Sequence, residues 1–214
     1  MNSQTDERSR SATLIALLIE DVIAADRRLA VADTQTARRD VVRASFAAIE
    51  GDVWQMRRHI ASVLADLDTL TPIADLALRE ISYNVTSDGK IVEQPRWVSV
   101  PTAIRLAVSQ AMLISPEIQV DFSEAGWSSL HQTVTIRNRI THPKLADDLT
   151  ITDGDLKAVT SGLFWVLATA DYVMASTNLA LIEYNDALRD MVEQLKAGDP
   201  DALAIYQAAL SESD

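Results

Sequence analysis

The chain has no cysteine, only six glycines and only three histidines among its 214 residues. Without cysteine it can form neither disulfide bonds nor thiolate metal sites, which is typical of proteins of a reducing cytosol. The histidines, His59, His131 and His142, do not follow the spacing of metal ligands. The glycines form no phosphate-binding loop, and no Gly-x-Ser-x-Gly sequence occurs. We therefore expect no metal and no cofactor.

Positive charge is also scarce. Nineteen lysines and arginines face 31 acidic residues, which gives a formal net charge of −12 and a pI near 4.6. Such a balance opposes broad affinity for nucleic acids, because their binding depends on the neutralisation of phosphates. Any nucleic-acid site must then rest on a local group of cations.

One long apolar stretch is present, residues 159–182, with Asp171 as its single charge. It is long enough to cross a bilayer. A charge at the centre of a membrane is costly, however, and several Ser, Thr and Asn residues interrupt the stretch. We predict a helix that is buried against several neighbours or in a dimer interface, no association with a membrane and a cytoplasmic location. The apolar residues near 14–23 are too few and too close to acids for a signal peptide.

Capping residues and prolines predict a mainly helical chain organised as one domain, residues 1–214. Threonine followed by helix formers, or proline in a first turn, marks helix starts. Expected helices cover residues 14–23, 34 or 36 to 67, 72–79, 101–114, 155–196 and 202–210. Residues 1–10 are expected to be a flexible N-terminus and residues 199–214 an acidic C-terminal segment. Alternating apolar residues on both sides of Ser87-Asp88-Gly89 predict an inserted β-hairpin around residues 81–94.

The most informative stretch is residues 136–144, Ile-Arg-Asn-Arg-Ile-Thr-His-Pro-Lys. Ser123 is the candidate N-cap of the helix that leads into it. Leu130, Val134, Asn138 and His142 follow at intervals of four, so the apolar face of this helix becomes polar in its last two turns. Proline disfavours the helical conformation in the residue before it, so the helix should end at His142.

Arginine and histidine at this spacing suggest phosphate chemistry. Histidine titrates near neutral pH and can act as a general acid or base. Arginine can stabilise a phosphate that gains charge in a transition state. Together they suffice for RNA cleavage in which the 2′-hydroxyl attacks its own phosphate. The structural alternative is that Arg137 pairs with a carboxylate and His142 caps its helix.

The motif Arg137-Asn138-x-x-x-His142 resembles the signature of HEPN domains, a family of helical nucleotide-binding domains in prokaryotes and higher eukaryotes. Gly126-Trp127 and residues 141–144 are similar to a bacterial branch of the family, and residues 43–51 are similar to its first core helix. The resemblance covers most of residues 36–196. It implies an all-α, up-and-down four-helix bundle that forms a homodimer, with the two motifs in one composite cleft. It also implies that Arg137 and His142 are catalytic and that Asn138 is their polar support.

Other residues are weaker candidates. Cations that could hold an RNA backbone lie in the motif stretch and on the second helix: Arg139, Lys144, Arg43, Arg57 and Arg58. A solvated helix face is the simpler explanation of the helix arginines. Glu50 could orient Arg137 or be a surface acid. Asp171 could pair with a cleft arginine, or be a buried cap or an exposed acid.

The sequence thus predicts a metal-independent endoribonuclease with RNA and a second copy of the chain as partners. Members of the resembled family are often toxins or phage-defence proteins, which leaves an antitoxin or another protein partner open. The alternative is a HEPN scaffold that binds RNA, a nucleotide or a protein without cleavage.

Overall fold

Seven α-helices and one β-hairpin make up the described part of the chain in this computed structural model. The structure describes residues 2–211, with side chains for residues 14–208 and Ser211. The helices are α1 Asn2–Val31, α2 Gln35–Asp66, α3 Pro72–Leu78, α4 Val100–Ile114, α5 Ala125–Thr141, α6 Asp153–Lys196 and α7 Pro200–Ser211. The strands are β1 Ile81–Val85 and β2 Ile91–Pro95, and a 3₁₀ turn covers Ala146–Leu149. The mainly helical class and the inserted hairpin are confirmed.

Helix starts follow the predicted signals closely. The side chains of Thr34, Thr71 and Thr152 each accept a hydrogen bond from a backbone N–H in the first turn of α2, α3 and α6. The prediction for α5 was wrong by one residue. Its N-cap is Glu124, whose side chain accepts no capping bond, while Ser123 instead donates its hydroxyl to Asp121.

Helices occupy both ends of the described chain, and the one near the C-terminus was predicted. Helix α1 begins at Asn2, within the segment predicted to be a flexible N-terminus. Helix α7 covers most of the acidic C-terminal segment and buries Ala202. Residues 212–214 of that segment lie outside the described residues.

Helix α2 is the centre of the fold. It packs against α1, α4, α5 and α6, and its side chains include Ile49 and Ile60, which are fully buried. Each such side chain contributes about 1.5–3 kcal/mol on removal from water. A second, smaller apolar cluster joins the start of α2 to the end of α5, through Val42, Ile136 and Ile140. Both isoleucines of the motif stretch therefore hold the end of α5 against α2.

The helix directions depart from a strict up-and-down order. Gln35 bonds to Ile151 at the start of α6, and His59 contacts Thr177 much further along, so α2 and α6 run parallel. Helix α5 runs antiparallel to α6, because Arg139 pairs with Asp155. Among the four helices α2, α4, α5 and α6, one pair of consecutive helices therefore runs in the same direction. The segments between these helices are long enough to cross the bundle, which helix patterning alone does not reveal.

Helices α5 and α6 approach each other closely at a glycine. A Cβ on Gly162 would lie 3.0 Å from the backbone of Leu130 and 2.9 Å from Oγ1 of Thr133. Thr133 is fully buried, and its hydroxyl oxygen lies 2.8 Å from the carbonyl oxygen of Ser129 and 3.3 Å from that of Ala158. The contact fixes α5 along α6 and thereby positions the end of α5.

By length and composition, α6 is the one helix among the described residues that could cross a membrane. Its buried residues lie between Ala158 and Thr177, where it packs against α2 and α5. The predicted burial is therefore observed over residues 158–177 of this helix. Beyond Thr177 most of its side chains are exposed.

Candidate active site

The end of α5 forms as predicted, with His142 as the first residue beyond the helix. Its backbone N–H still donates to the carbonyl of Asn138 at 3.0 Å, while its φ of −125° and ψ of 56° leave the helical region. Pro143 follows, and the carboxylate of Asp148 accepts the N–H groups of Lys144 and Leu145 at 2.7 and 2.9 Å. The imidazole is thus attached to a well-defined turn.

Arg137 is held from three sides. Its Nη1 donates to Oδ1 of the adjacent Asn138 at 3.1 Å, and its Nη2 lies 3.5 Å from Oε1 of Glu50 on α2. Its guanidinium lies over the ring of Phe46, 4.8 Å from the ring centre. Such a cation–π contact contributes about 0.5–1 kcal/mol at an exposed site. Phe46 is a buried core residue, and no sequence signal indicated that it also supports Arg137.

The motif lies at the surface. Asn138 and His142 are exposed, and the side chain of Arg137 retains 33% of its exposure. The same helix face is buried at Leu130 and half-buried at Val134, so it emerges from the core over two turns. The polar end of α5 can therefore be reached by a large substrate.

Glu50 is the acid that faces Arg137. Partial burial raises the pKa of its carboxyl, Arg137 lowers that pKa, and the nearby Glu80 raises it. The net direction is upward, so the carboxylate is not strongly stabilised by its arginine. The geometry agrees with the expectation that Glu50 could orient Arg137.

Most of the other predicted cations are engaged elsewhere. Arg139 donates to the carbonyl of Thr150 and to Asp155, at 2.9 and 3.0 Å, and so ties α5 to the start of α6. Arg43 is half-exposed and pairs with Asp40 on its own helix. The side chain of Lys144 is exposed next to the motif. Of these three, Lys144 has the placement most suited to a bound phosphate.

Two predicted arginines lie at the other end of α2. The side chain of Arg57 is 6% exposed and pairs with Glu80 at 3.1 Å, so it is not part of an open cleft around Arg137. Arg58 lies over the ring of Trp54. Both line a separate cavity beside the hairpin.

Asp171 does not pair with an arginine in the described structure. It is exposed on α6 and close to the buried Asp52 of α2, whose pKa it helps to raise. Burial is the larger cause, and together they raise the pKa of Asp52 to about 7. Of the alternatives left open, the exposed acid is the one that the structure has.

No three His, Cys, Asp or Glu side chains of the described residues come together as a metal-binding group. Comparisons of the chain with protein-family models, with curated proteins and with solved structures find no match. The site must therefore be interpreted from its own chemistry.

Proposed function

We propose that the chain is a metal-independent endoribonuclease of the HEPN type, with its active site at the end of α5. The observation that carries the proposal is the placement of Arg137 and Asn138 in direct contact, one helical turn before the exposed His142. An arginine and a histidine that are both open to solvent suit a phosphate on a large, flexible strand.

In the proposed reaction the imidazole of His142 accepts the proton of an RNA 2′-hydroxyl. The 2′-oxygen forms a bond to the neighbouring phosphorus, and the bond from phosphorus to the 5′-oxygen breaks. Arg137 holds the non-bridging oxygens, where negative charge increases in the transition state. The products are a 2′,3′-cyclic phosphate and a 5′-hydroxyl, which takes up a proton.

That second proton requires a general acid, and one motif contains one histidine. Among the described residues, His131 lies eleven positions earlier on α5, about 16 Å along the axis, and stacks edge-on against Trp127. It is therefore badly placed to serve the same phosphate. We propose that a second copy of the chain supplies the acid, which agrees with the composite cleft implied by the family resemblance.

Glu50 has a role in this proposal as the resting partner of Arg137. Both side chains of the pair are partly exposed, at 33% and 49%, and their closest atoms are 3.5 Å apart. Exposed pairs of this kind contribute little to stability. A phosphate can then replace the carboxylate at low cost, while Phe46 keeps the guanidinium in position.

A second candidate function is binding without cleavage. The net charge of −12 and the engagement of Arg43, Arg57 and Arg139 by other protein groups favour it. In that case the same end of α5 holds RNA or a protein partner, such as an antitoxin, and the histidine does no chemistry. A cytoplasmic location suits both functions and belongs to the same proposal.

The test is cleavage of end-labelled total RNA and tRNA by the purified protein in EDTA. We expect products with 2′,3′-cyclic phosphate ends. His142→Ala should reduce the rate by about 10²–10⁴-fold, since it removes a general acid–base group. Arg137→Ala should reduce it by a similar factor.

His131→Ala is the matched control, because it removes a histidine from the same helix outside the motif. It should retain the wild-type rate. Cleavage that survives both motif substitutions would contradict the assignment. RNA binding without cleavage by the wild type would establish the second candidate. A mixture of His142→Ala and Arg137→Ala protein tests the composite site. In a mixed dimer one chain lacks the motif histidine and the other lacks the motif arginine.

A further inference from the structure

Two of the four tryptophans in the chain are exposed, and both line one cavity. Trp127 and Trp165 lie in an aromatic cluster with Phe122, and Trp127 is 7% exposed. Trp54 is 41% exposed and Trp97 is 81% exposed, which is unusual for so large an apolar side chain. Their shared cavity lies between α2, α3 and the base of the hairpin, with a volume of about 680 Å³. Cavities of this size hold small ligands.

The cavity also contains a buried arginine with unused donors. Arg57 gives one hydrogen bond from Nη2 to Glu80, at 3.1 Å. Its Nε and Nη1 are buried and have no partner among the described residues. A buried donor without an acceptor is costly, and a charged one more so. An oxygen-rich anion in the cavity would supply the missing acceptors.

Charge in the cavity differs from that of the whole protein. Three arginines, Arg57, Arg58 and Arg79, line it together with two acids, Asp75 and Glu80. Both acids are already engaged, Asp75 with Arg79 and Glu80 with Arg57. The guanidinium of Arg58 lies over Trp54, 4.9 Å from the ring centre. A flat aromatic surface with a cation beside it suits a ligand that is both aromatic and anionic.

Glu80 builds the cavity from the hairpin side. Its carboxylate accepts from Arg57 and from the N–H of Val98, and its carbonyl accepts from the N–H of Arg96. These bonds hold the backbone on both sides of Trp97. Glu80 has a φ of +56°, a strained conformation for a residue with a side chain. Strain of this kind persists where surrounding structure enforces it, and it concentrates at binding sites.

We propose that this cavity is a nucleotide-binding site, with the base stacked on Trp54 and Trp97 and the phosphate held by Arg57 and Arg58. Stacking on tryptophan accepts any base, because every base has a π face. The site is distinct from the motif at the end of α5 and does not need cleavage to exist. The nucleotide is either a free mononucleotide or one unit of an RNA strand.

A nucleotide that belongs to an RNA strand could occupy this cavity while the same strand reaches Arg137, because both sites lie along α2. Phe46, Glu50, Trp54 and Arg58 follow one another at intervals of four along one face of α2. Phe46 and Glu50 contact Arg137, and Trp54 and Arg58 line the cavity. From Phe46 to Trp54 is about 12 Å along the helix axis. A strand whose phosphate is held by Arg137 could therefore place a neighbouring base in the cavity.

The experiment measures binding of AMP, GMP, CMP and UMP, and of a short single-stranded RNA, by calorimetry and by quenching of tryptophan fluorescence. The RNA carries 2′-O-methyl groups so that it cannot be cleaved. Trp97→Ala and Arg58→Gln should each weaken binding about tenfold or more. Both side chains are exposed, so these substitutions leave the core intact.

Tyr83→Ala on the hairpin and Arg189→Gln on α6 are the matched controls. Both residues are exposed and neither lines the cavity. They should bind as the wild type does. The combined variant Arg137→Ala, His142→Ala should still bind mononucleotides, so this result is separate from any failure of the cleavage proposal.

Binding of mononucleotides that depends on Trp97 and Arg58 would support a site for free nucleotides. Binding of the RNA alone, with the same dependence, would support a site for one unit of a strand. No binding of either ligand, or binding that both cavity variants retain in full, would overturn the proposal.

Discussion

Arg137 and Arg57 each pair with a glutamate, but the two pairs lie in opposite environments. The Arg137–Glu50 pair joins α5 to α2 at the surface, with a closest distance of 3.5 Å and side chains that are 33% and 49% exposed. The Arg57–Glu80 pair joins α2 to the hairpin, with a distance of 3.1 Å and side chains that are 6% and 14% exposed. The chemical groups are the same in both.

The difference determines what each arginine can do. Water competes for the exposed pair, so Arg137 can exchange its carboxylate for a phosphate. The buried pair has lost that water, and breaking it leaves a charge without compensation. Arg57 can therefore accept an additional ligand on its free donors but cannot leave Glu80. Residue type predicted both arginines as RNA contacts, whereas their environments separate them.

The largest effect that we expect is on the free energy of unfolding. Glu80→Gln should lower the free energy of unfolding by about 3–5 kcal/mol, because it leaves the Arg57 guanidinium buried without a counter-charge. Glu50→Gln, the same change in the exposed pair, should lower it by less than about 1 kcal/mol. Urea unfolding followed by circular dichroism measures both. Equal losses in the two variants would show that burial does not change the contribution of such a pair to stability.

Asp52 is a buried acid that makes no ion pair with a described residue, so it gives a third environment to set beside the two pairs. Asp52 is 4% exposed, its Oδ2 has no partner among the described residues, and burial with the nearby Asp171 raises the pKa of its carboxyl from 3.8 to about 7. Between these two values the folded state binds more protons than the unfolded state. The contribution of Asp52 to stability is therefore full below about pH 4 and is lost as the pH rises through about 7.

Asp52→Asn should remove this dependence. At pH 8 the variant should gain as much as about 4 kcal/mol over the wild type, because each tenfold difference in proton affinity between the folded and unfolded states is worth about 1.4 kcal/mol. At pH 4 the two proteins should be nearly equal. Asp171→Asn should give a smaller gain at pH 8, because Asp171 is the lesser cause of the shift. A gain that does not change between pH 4 and 8 would contradict the assignment.

The smallest expected effect concerns binding at the exposed pair. Under the proposed function, Glu50→Gln removes a carboxylate that competes with phosphate for Arg137, so the affinity for uncleavable RNA should rise by a factor of a few. Fluorescence anisotropy at low and moderate salt measures it, with Asp186→Asn on α6 as an exposed control. A decrease in affinity would instead assign Glu50 a direct role in holding the substrate.

Local patterns predicted the elements of this protein well. Threonine caps set the starts of α2, α3 and α6, Pro143 ended α5 at His142, and alternation around Gly89 predicted the hairpin. The motif itself could be found for the same reason, since Arg137, Asn138 and His142 lie within six consecutive residues of one helix end. Each of these features depends on neighbours in sequence, so the sequence contains the whole physical cause.

Only the tertiary structure decided the environments. The parallel course of α2 and α6, the burial of Arg57 and the exposure of Trp54 result from contacts between segments far apart in the chain. Trp54 has the spacing of a core residue, yet it faces a cavity that α3 and the hairpin close only in part. The sequence by itself determined which groups are available and on which elements they lie. Packing decided which of them lost their water, and with it whether an arginine must keep its carboxylate partner or can exchange it.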